Sequence, residues 1–456
     1  IGNGASKPMI RGMGFNRIAV LDRGIKQEGQ QWGADHGLEL DQMAADHVGV
    51  YKGATSLRWG GDAMGGAIAV NADIPIPLDG FHTKGALWYA SNSQLGGISL
   101  RNSYAGQKFF YALTLTGTDY ADYSVPVDTI VYMTRKIPIY NRKLKNTAGT
   151  EKDATLTLGL DSYYGVFALT ASHVYQKIGF FPGSHGLPSQ ERVQPDRSTR
   201  NVDFPYSRAS HSKLILNYRS NPRGRSWTAY LDLGVQYNVR DELSAFHTHY
   251  PEQSRPEKDA DLELALRLWT YSISRRVVWK LPQRMQFEAG AESQWQDHSF
   301  KGYNFLLPRY YRYTVGIYAT YSWQPLPELR LEAGLRGDYA RLNVKPYYDT
   351  ILEQYLVNFD NITPLQREEY ATLSPRLNRN FINYSWALGA SWTPVEHHAL
   401  KMHLGRSFRL PSVHELAANG VHHGSFRHEK GDSKLDSELG HQLDLEYVFN
   451  YKKLRV

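Results

Sequence analysis

The sequence predicts an all-β barrel that crosses a membrane, preceded by a small mixed α/β domain. From about residue 79, segments of 10 to 15 residues alternate apolar and polar side chains, as barrel strands between lipid and lumen do. The connections between these segments alternate between short and long. Aromatic residues make up 13% of the chain and the mean hydropathy is −0.50. No run approaches the roughly 18 apolar residues of a membrane helix, so a helical membrane protein is excluded.

The N-terminal part, residues 1–75, differs from the rest in composition and is predicted to form a separate domain. It is rich in glycine, contains short apolar runs such as 17–21, and has few tyrosines. Within it, residues 48–70 predict a strand, a glycine-rich turn and a second strand. Glycines at such a turn allow positive φ and close backbone approach, which suits a compact sheet enclosed in a larger structure.

The barrel is predicted for residues 76–456, with roughly 14 strands by the alternation criterion. Their centres lie near residues 87, 99, 112, 157, 169, 213, 232, 267, 289, 317, 334, 386, 402 and 445. Long connections at 119–150, 179–205, 241–259, 297–309, 341–377 and 409–437 are expected outside the cell, because such barrels keep their short turns on the periplasmic side. Plugged transporter barrels have 22 strands. We therefore expect the chain to lack about eight strands of that type of barrel, together with the start of the N-terminal domain.

Four blocks of the N-terminal part resemble the plug domain of TonB-dependent outer-membrane transporters. They read PMIRGMG at 8–14, RIAVLDRGI at 17–25, VYKGATSLRWG at 50–60 and DAMGGAI at 62–68. The order and spacing agree with that family, although Ala54, Trp59 and Ala69 stand where it usually has Pro, Tyr and Asn. The resemblance assigns these positions to the plug motif: Arg11, Lys52, Gly53, Ser56, Gly60, Asp62, Gly65 and Gly66.

The resemblance implies an active importer of the bacterial outer membrane, with the plug domain inside the barrel lumen. Its expected partners are TonB with the inner-membrane complex that energises it, outer-membrane lipid and a metal-chelate substrate, with a surface lipoprotein as a further candidate. No intrinsic cofactor is implied. The residues themselves show no HExxH, phosphate-loop or GxSxG motif, so an enzyme is not predicted. The net charge of +7 is not concentrated in a Lys/Arg block, so no nucleic-acid partner is predicted.

Histidine is the residue type that points to a cargo, because neutral imidazole is the commonest metal ligand. Many of the 17 histidines fall in the predicted outer loops. These are His185, His247, His249, His298, His414, His422, His423 and His428. Their positions favour a scarce metal or metal chelate as cargo, namely haem or another iron complex, or else zinc.

The last long loop resembles the region between two sequence boxes of haem and zinc TonB-dependent receptors. In this chain the boxes are FRLP at 408–411 and, loosely, GDSKL at 431–435. The resemblance implies a metal-ligating histidine between them, so His422, His423 and His428 are candidates. The polar loop at 30–41 adds His36 and Asp35, with Glu39 as a further possible contact, because plug loops in this region face the substrate.

Other loops predict contacts around the cargo. The segment 179–188, with His185, is a candidate lid, and His247 and His249 are candidate loop contacts. His397, His398 and His403 are excluded because they fall at a predicted periplasmic turn or in a strand. Two alternatives stay open: an importer of a siderophore, oligosaccharide or peptide, and a passive porin or surface adhesin. The plug blocks argue against a porin, whose lumen is an open channel.

Overall fold

The computed structural model contains one large antiparallel sheet and a small sheet that packs against its inner face. It describes residues 7–30, 32–33, 36–132, 134–182, 188–248, 250–251, 253–422, 427–451 and 454–455. Among these residues, no helix has both the length and the apolar character needed to cross a membrane. The large sheet has 15 strands and the small one has four.

The small sheet belongs to the N-terminal domain. Its strands are β1 (Ile18–Asp22), β2 (Ile25–Lys26), β3 (Val48–Tyr51) and β4 (Gly66–Val70), in the order β2-β1-β4-β3. β1 and β4 pair in parallel, and the other neighbours are antiparallel. Short 3-10 helices lie at Phe15–Arg17, Gln42–Ala44 and Gly53–Trp59. The core of this domain is built mostly from small residues: Ala19, Leu21, Trp59, Ala63, Ala67 and Ala69.

The barrel strands follow in chain order. They are β5 (Gly80–Ala90), β6 (Leu95–Ala105), β7 (Phe109–Tyr120), β10 (Gly149–Ser162), β11 (Gly165–Gly179), β12 (Tyr206–Ser220), β13 (Trp227–Leu243), β14 (Leu262–Leu281), β15 (Met285–Lys301), β16 (Tyr310–Leu326), β17 (Leu329–Val344), β18 (Leu377–Trp392), β19 (His398–Arg409), β22 (Glu438–Tyr451) and β23 (Leu454–Arg455). Each of the 14 predicted centres falls inside one of the long strands. The predicted antiparallel barrel sheet is therefore confirmed.

The long connections carry their own small elements. These are the hairpins β8 (Thr129–Tyr132) with β9 (Arg135–Pro138) and β20 (Asn419–His422) with β21 (Arg427–Lys430), the helices α1 (Gln190–Val193), α2 (Thr350–Leu356), α3 (Pro364–Ala371) and α4 (Val413–Ala417), and a 3-10 helix at Tyr140–Arg142. They lie at the end of the barrel where long loops were predicted. The predicted domain boundary at 75/76 falls in the connection between β4 and β5.

Alternate side chains of the barrel strands face opposite environments, as the sequence pattern predicts. In β6, Ile98 and Leu100 are exposed on the outer face, whereas Ser99 between them is buried against the lumen side. Ser99 also hydrogen-bonds Thr116 of the neighbouring β7 at 3.0 Å. The apolar residues exposed on the outside of the sheet therefore form the surface that a lipid bilayer would cover.

The plug-motif segment is organised differently from a plain strand–turn–strand unit. β3 and β4 are present and pair, but their connection contains the seven-residue 3-10 helix Gly53–Trp59. The backbone approaches closely here: Gly66 has φ +124°, and a Cβ on it would lie 2.7 Å from the Tyr51 carbonyl oxygen. A side chain at this position would therefore separate β3 from β4.

The remaining motif residues tie the N-terminal domain together and to the barrel. Arg11 forms an ion pair with Asp444 of β22, and Asp62 forms one with Lys26 of β2. Ser56 donates a hydrogen bond to the Gly53 carbonyl at 2.8 Å. The geometry of these residues accounts for packing and attachment, and none of them belongs to the histidine group described below.

Buried ionic and polar contacts join the N-terminal domain to β12 and β13. Asp22 contacts the Lys213 ammonium and also accepts from Arg23 at 2.6 Å, and all three side chains are buried. Asn217 donates to the Arg23 carbonyl at 2.8 Å, and Gln236 donates to the Lys26 carbonyl at 2.8 Å. Burial raises the pKa of Asp22, but the charges of Lys213 and Arg23 outweigh it and hold that pKa below its usual value.

Replacing Asp22 by Asn is expected to destabilise the N-terminal domain by about 3–5 kcal/mol, because it leaves the buried Lys213 ammonium without its counter-charge. Urea unfolding followed by hydrogen exchange of residues 18–70 measures the change. Asp128→Asn is the matched control: Asp128 pairs with Arg142 at the surface, and its side chain is 69% exposed. Equal effects of the two substitutions would contradict a buried ionic attachment.

Candidate functional site

Three side chains from distant parts of the chain converge between the N-terminal domain and the outer loops. His36 lies in the loop between β2 and β3, Glu242 lies at the loop end of β13, and His422 ends β20. The Glu242 Oε1 atom is 3.4 Å from His36 Nε2 and 3.8 Å from His422 Nε2. One ligand atom from each residue lies within 4.8 Å of the others, and all three residues are buried.

Each imidazole is oriented by a hydrogen bond from its other nitrogen. His36 Nδ1 donates to the Gln30 carbonyl, which can only accept. His422 Nδ1 lies 3.3 Å from Glu429 Oε1 and donates a hydrogen bond to this carboxylate. In neutral imidazoles this arrangement leaves the Nε2 lone pairs directed toward the side of Glu242. Oxygen acceptors on the distal nitrogen are the usual outer shell of metal-binding histidines.

An aromatic wall closes one side of the group. Trp32 stacks on His414 with ring centroids 4.4 Å apart, and its centroid lies 4.7 Å from that of His36 and 5.0 Å from that of His422. The His36 and His422 rings are themselves 5.2 Å apart. Trp32 Nε1 donates to Gln30 Oε1 at 2.8 Å, which fixes the indole.

Burial and neighbouring charges set the protonation of the group. Burial lowers the pKa of His36 well below its usual range, and the charges of Arg240, His422 and Lys7 lower it further. His36 is therefore neutral at pH 7, the form in which imidazole binds metals. Burial raises the pKa of Glu429, but hydrogen bonds with His414 and His422 outweigh it and hold the pKa well below the usual range. Glu429 is therefore ionised.

A second polar group lies beside the first, nearer the surface. Glu263 of β14 is 1% exposed, and its Oε1 is 4.0 Å from Nε2 of the partly exposed His247. Tyr303 is 3.4 Å from His247 Nδ1 and 2.7 Å from Ser244 Oγ through its hydroxyl. Glu263 is also close enough to His422 to interact with it electrostatically. The two groups form a continuous polar region at the top of the N-terminal domain.

The structure brings together two of the predicted site residues, His36 and His422. His428 is exposed on β21, outside the group of three. Of the remaining candidates, His247 lies in the neighbouring polar group. His298 is buried elsewhere, where Nδ1 donates to the Pro308 carbonyl at 3.0 Å. Four candidates lie outside the described residues: Asp35, His185, His249 and His423.

Sequence reasoning missed three members of the site. Glu242 and Glu429 carry no distinctive sequence signal because acidic residues are common in outer loops, and a single tryptophan such as Trp32 carries none either. Glu242 was nevertheless detectable in principle, since it is the second residue of the long connection predicted at 241–259. An acidic residue where a barrel strand enters a histidine-containing loop is a reasonable ligand candidate.

The three converging atoms can bind a divalent transition-metal ion. Two imidazole nitrogens and one carboxylate oxygen are a common donor set for Zn²⁺ and leave a fourth tetrahedral position for another ligand. The Glu242 carboxylate lies beside both Nε2 atoms, so its negative charge would stabilise a cation bound by these three atoms. The donors belong to both the N-terminal domain and the barrel, so an ion bound there would bridge the two.

Two family models match the chain. The model described as TonB-dependent Receptor Plug Domain matches residues 1–67. The model described as TonB dependent receptor-like, beta-barrel matches residues 139–456. No curated protein sequence matches.

Solved structures with the same fold include three metal- or haem-related proteins. The copper transporter OprC aligns with a TM-score of 0.71 and 15% identity, covering 100% of this chain and 65% of that one. A double mutant of the Serratia marcescens hemophore receptor HasR, in complex with HasA and heme, gives 0.67 and 18%, covering 99% and 64%. The FrpB iron transporter from Neisseria meningitidis (F3-3 variant) gives 0.68 and 15%, covering 99% and 65%. The chain thus spans 64–65% of the length of these three proteins.

Glu429→Gln is expected to loosen the segment 413–430 at pH 7, because it removes the charge that His414 and His422 bind. Hydrogen exchange of that segment measures the effect, and Asp436→Asn, at a carboxylate that is 91% exposed, is the control. In the unchanged protein, the lowered pKa of Glu429 means that its contribution is present above about pH 4.3 and is lost only as the pH falls further. Loss of protection already between pH 7 and 5, after correction for intrinsic exchange, would contradict this assignment.

Proposed function

The chain belongs to the TonB-dependent receptors, whose barrels lie in the bacterial outer membrane, and from this premise we propose that it imports a transition-metal ion. Zinc is the ion that its donor set suits best. The proposal depends on one observation, the convergence of His36, Glu242 and His422 on a buried point between plug and barrel. Energy comes, in this proposal, from the inner-membrane complex acting through TonB.

The chemistry of the donors supports zinc over copper. Zn²⁺ accepts imidazole and carboxylate ligands in tetrahedral sites. Monovalent copper prefers thiolate and thioether sulfur, whereas the three residues of this site offer only nitrogen and oxygen atoms. The resemblance in fold to a copper transporter supports a metal cargo. The donor atoms of the three ligands in this chain favour Zn²⁺ over monovalent copper.

The geometry also favours a small metal ion over haem, although one structural neighbour is a haem-related receptor. Haem needs a flat apolar slot beside its axial ligand. Here His36 and His422 are wholly buried, their rings are 5.2 Å apart, and Trp32 packs against both. Haem, another iron chelate, a siderophore, an oligosaccharide or a peptide would each have to open this packing before binding.

The distribution of the ligands suggests how cargo is released. His36 belongs to the plug, whereas Glu242 and His422 belong to the barrel and its loop. Movement of the plug by TonB would separate His36 from the other two ligands. Dismantling the site in this way lowers its affinity at the moment when the path opens, so the same movement both frees the ion and lets it pass.

Zinc titrated into the purified, detergent-solubilised full-length protein is expected to bind at one high-affinity site. His36→Ala, His422→Ala and Glu242→Gln each remove a ligand. Each should weaken binding at least as much as loss of an outer-shell partner does, about 10- to 100-fold. Isothermal calorimetry measures the affinity, and His428→Ala is the control because His428 lies outside the group.

A parallel titration with haem, followed by its Soret band, separates the alternatives. If the unchanged protein binds haem but no zinc, and haem binding is lost in His36→Ala or His422→Ala, haem replaces zinc as the proposed cargo. If neither ligand binds, the metal proposal fails and the siderophore or nutrient alternatives take its place. Zinc accumulation in cells that continues unchanged without TonB would refute active import.

Zinc affinity is expected to fall as the pH is lowered, because protons compete for the imidazole nitrogens. Since burial lowers the pKa of His36, competition at this residue should begin below the ordinary histidine value of about 6.5. Titrations at pH 7.5, 6.5 and 5.5 with buffered free zinc test this. An affinity that rises on acidification would exclude imidazole ligands.

A further inference from the structure

A cavity of about 110 Å³ lies beside the proposed metal site, between the plug and the inner face of β14–β16. Trp32 and His414 form part of its wall, so the cavity and the metal site share the same aromatic residues. Its polar lining includes Gln30, Lys26 and Arg312. A polar space of this size can hold several water molecules or a small ion of several atoms.

Gln30 faces this cavity with a hydrogen-bond donor that has no protein partner. The side chain is 2% exposed, and its Oε1 accepts from Trp32 Nε1 at 2.8 Å. Because an indole nitrogen can only donate, this contact fixes which end of the amide is oxygen. The amide nitrogen Nε2 is buried and forms no hydrogen bond with any described residue. A buried donor in this state is available to an acceptor that enters the cavity.

Arg312 supplies a positive charge to the lining of this cavity. It extends from β16, and no hydrogen bond or ion pair joins its side chain to the part of the chain that the structure describes. Lys26, by contrast, is held by Asp62 and by Glu28 at 2.9 Å. Asp62 and Glu28 also line the cavity, and the charge of Asp62 interacts with Arg312, but within the described residues Arg312 has no hydrogen bond or ion pair that an anionic ligand would have to break.

We propose that this cavity binds a small carboxylate anion that accompanies the metal, with Arg312 and the Gln30 amide as its donors. The guanidinium fork matches a carboxylate in two parallel hydrogen bonds, and the amide can bind a further oxygen. This inference rests on the proposed function, because it assigns the form in which the metal ion is taken up.

Gln30 connects the anion to the metal. Its side chain faces the cavity while its backbone carbonyl accepts from His36 Nδ1, so an anion that orders Gln30 also orders a metal ligand. The metal ion carries two positive charges and Glu242 supplies one negative charge, so an added carboxylate nearby also balances charge. Anion and metal should therefore strengthen each other's binding, by the same factor in both directions.

Malonate, a three-carbon dicarboxylate, is the probe. Calorimetry first titrates malonate into the zinc-free full-length protein, and then measures zinc affinity at buffered free zinc with and without malonate. The unchanged protein should bind malonate, and malonate should raise zinc affinity at least tenfold. Gln30→Glu keeps an acceptor for Trp32 but repels an anion, and Arg312→Gln removes the charge. Both should lose malonate binding. Arg312 lies outside the metal site, so Arg312→Gln should also retain zinc affinity in the absence of malonate. Arg341→Gln, at an exposed arginine of β17, is the control.

The outcomes separate this inference from the proposed function. Malonate binding that is lost in both variants, in a protein that binds no zinc, supports the anion site and refutes the metal site. Zinc binding without malonate binding to either form refutes the anion site alone, as does malonate binding that both variants retain. Inorganic phosphate that binds while malonate does not would refute the carboxylate assignment. Retained zinc affinity in Arg312→Gln shows that this variant is folded.

Discussion

The N-terminal domain packs against the inner face of the large sheet, and the polarity of that face shapes the contact between them. The lumen side of barrel strands is largely polar, so buried ionic pairs make up much of the attachment of the plug beside a few apolar contacts such as Leu57 with Ala387. Asp22 and Lys213 form one such pair, and Glu39 and Arg240, whose atoms are 3.0 Å apart, form another. Such contacts fix the position of the plug relative to the strands. Water can hydrogen-bond to each of these groups once the domains separate.

The candidate metal site is a special case of the same constraint. His36, Glu242 and His422 are buried polar groups at the plug–barrel boundary, like the other buried pairs, and Glu242 Oε1 lies 3.4 Å and 3.8 Å from the two Nε2 atoms. In the proposed metal site, a cation would take the place that a second side chain takes in those pairs. The candidate metal site and the contacts that attach the plug therefore consist of the same kind of buried polar group. Movement of the plug would change both.

Local periodicity made most of the fold predictable. Alternation along a strand is visible over ten residues, so all 14 long strands could be located, whereas the seven-residue 3-10 helix in the plug motif has no such signal. For the site, residue type and loop position were enough to select His36 and His422. The role of Glu242 depends on its contacts with His36 and His422, which lie about 200 residues away in the sequence. The exposure of His428 depends on the register of the β20–β21 hairpin, in which it pairs with Val421. Neither is encoded within a short stretch of sequence.

The parallel pairing of β1 with β4 has a mechanical consequence. The five paired positions run from Ile18 with Gly66 to Asp22 with Val70. A force applied before β1 and resisted after β4 pulls on opposite ends of two parallel strands, so it loads all their hydrogen bonds in shear together. Antiparallel β1 and β2 would instead peel apart one bond at a time. The β1–β4 pair therefore resists a force applied along its strands better than the β1–β2 pair does. A force applied on the N-terminal side would be transmitted through the plug before the plug unfolds.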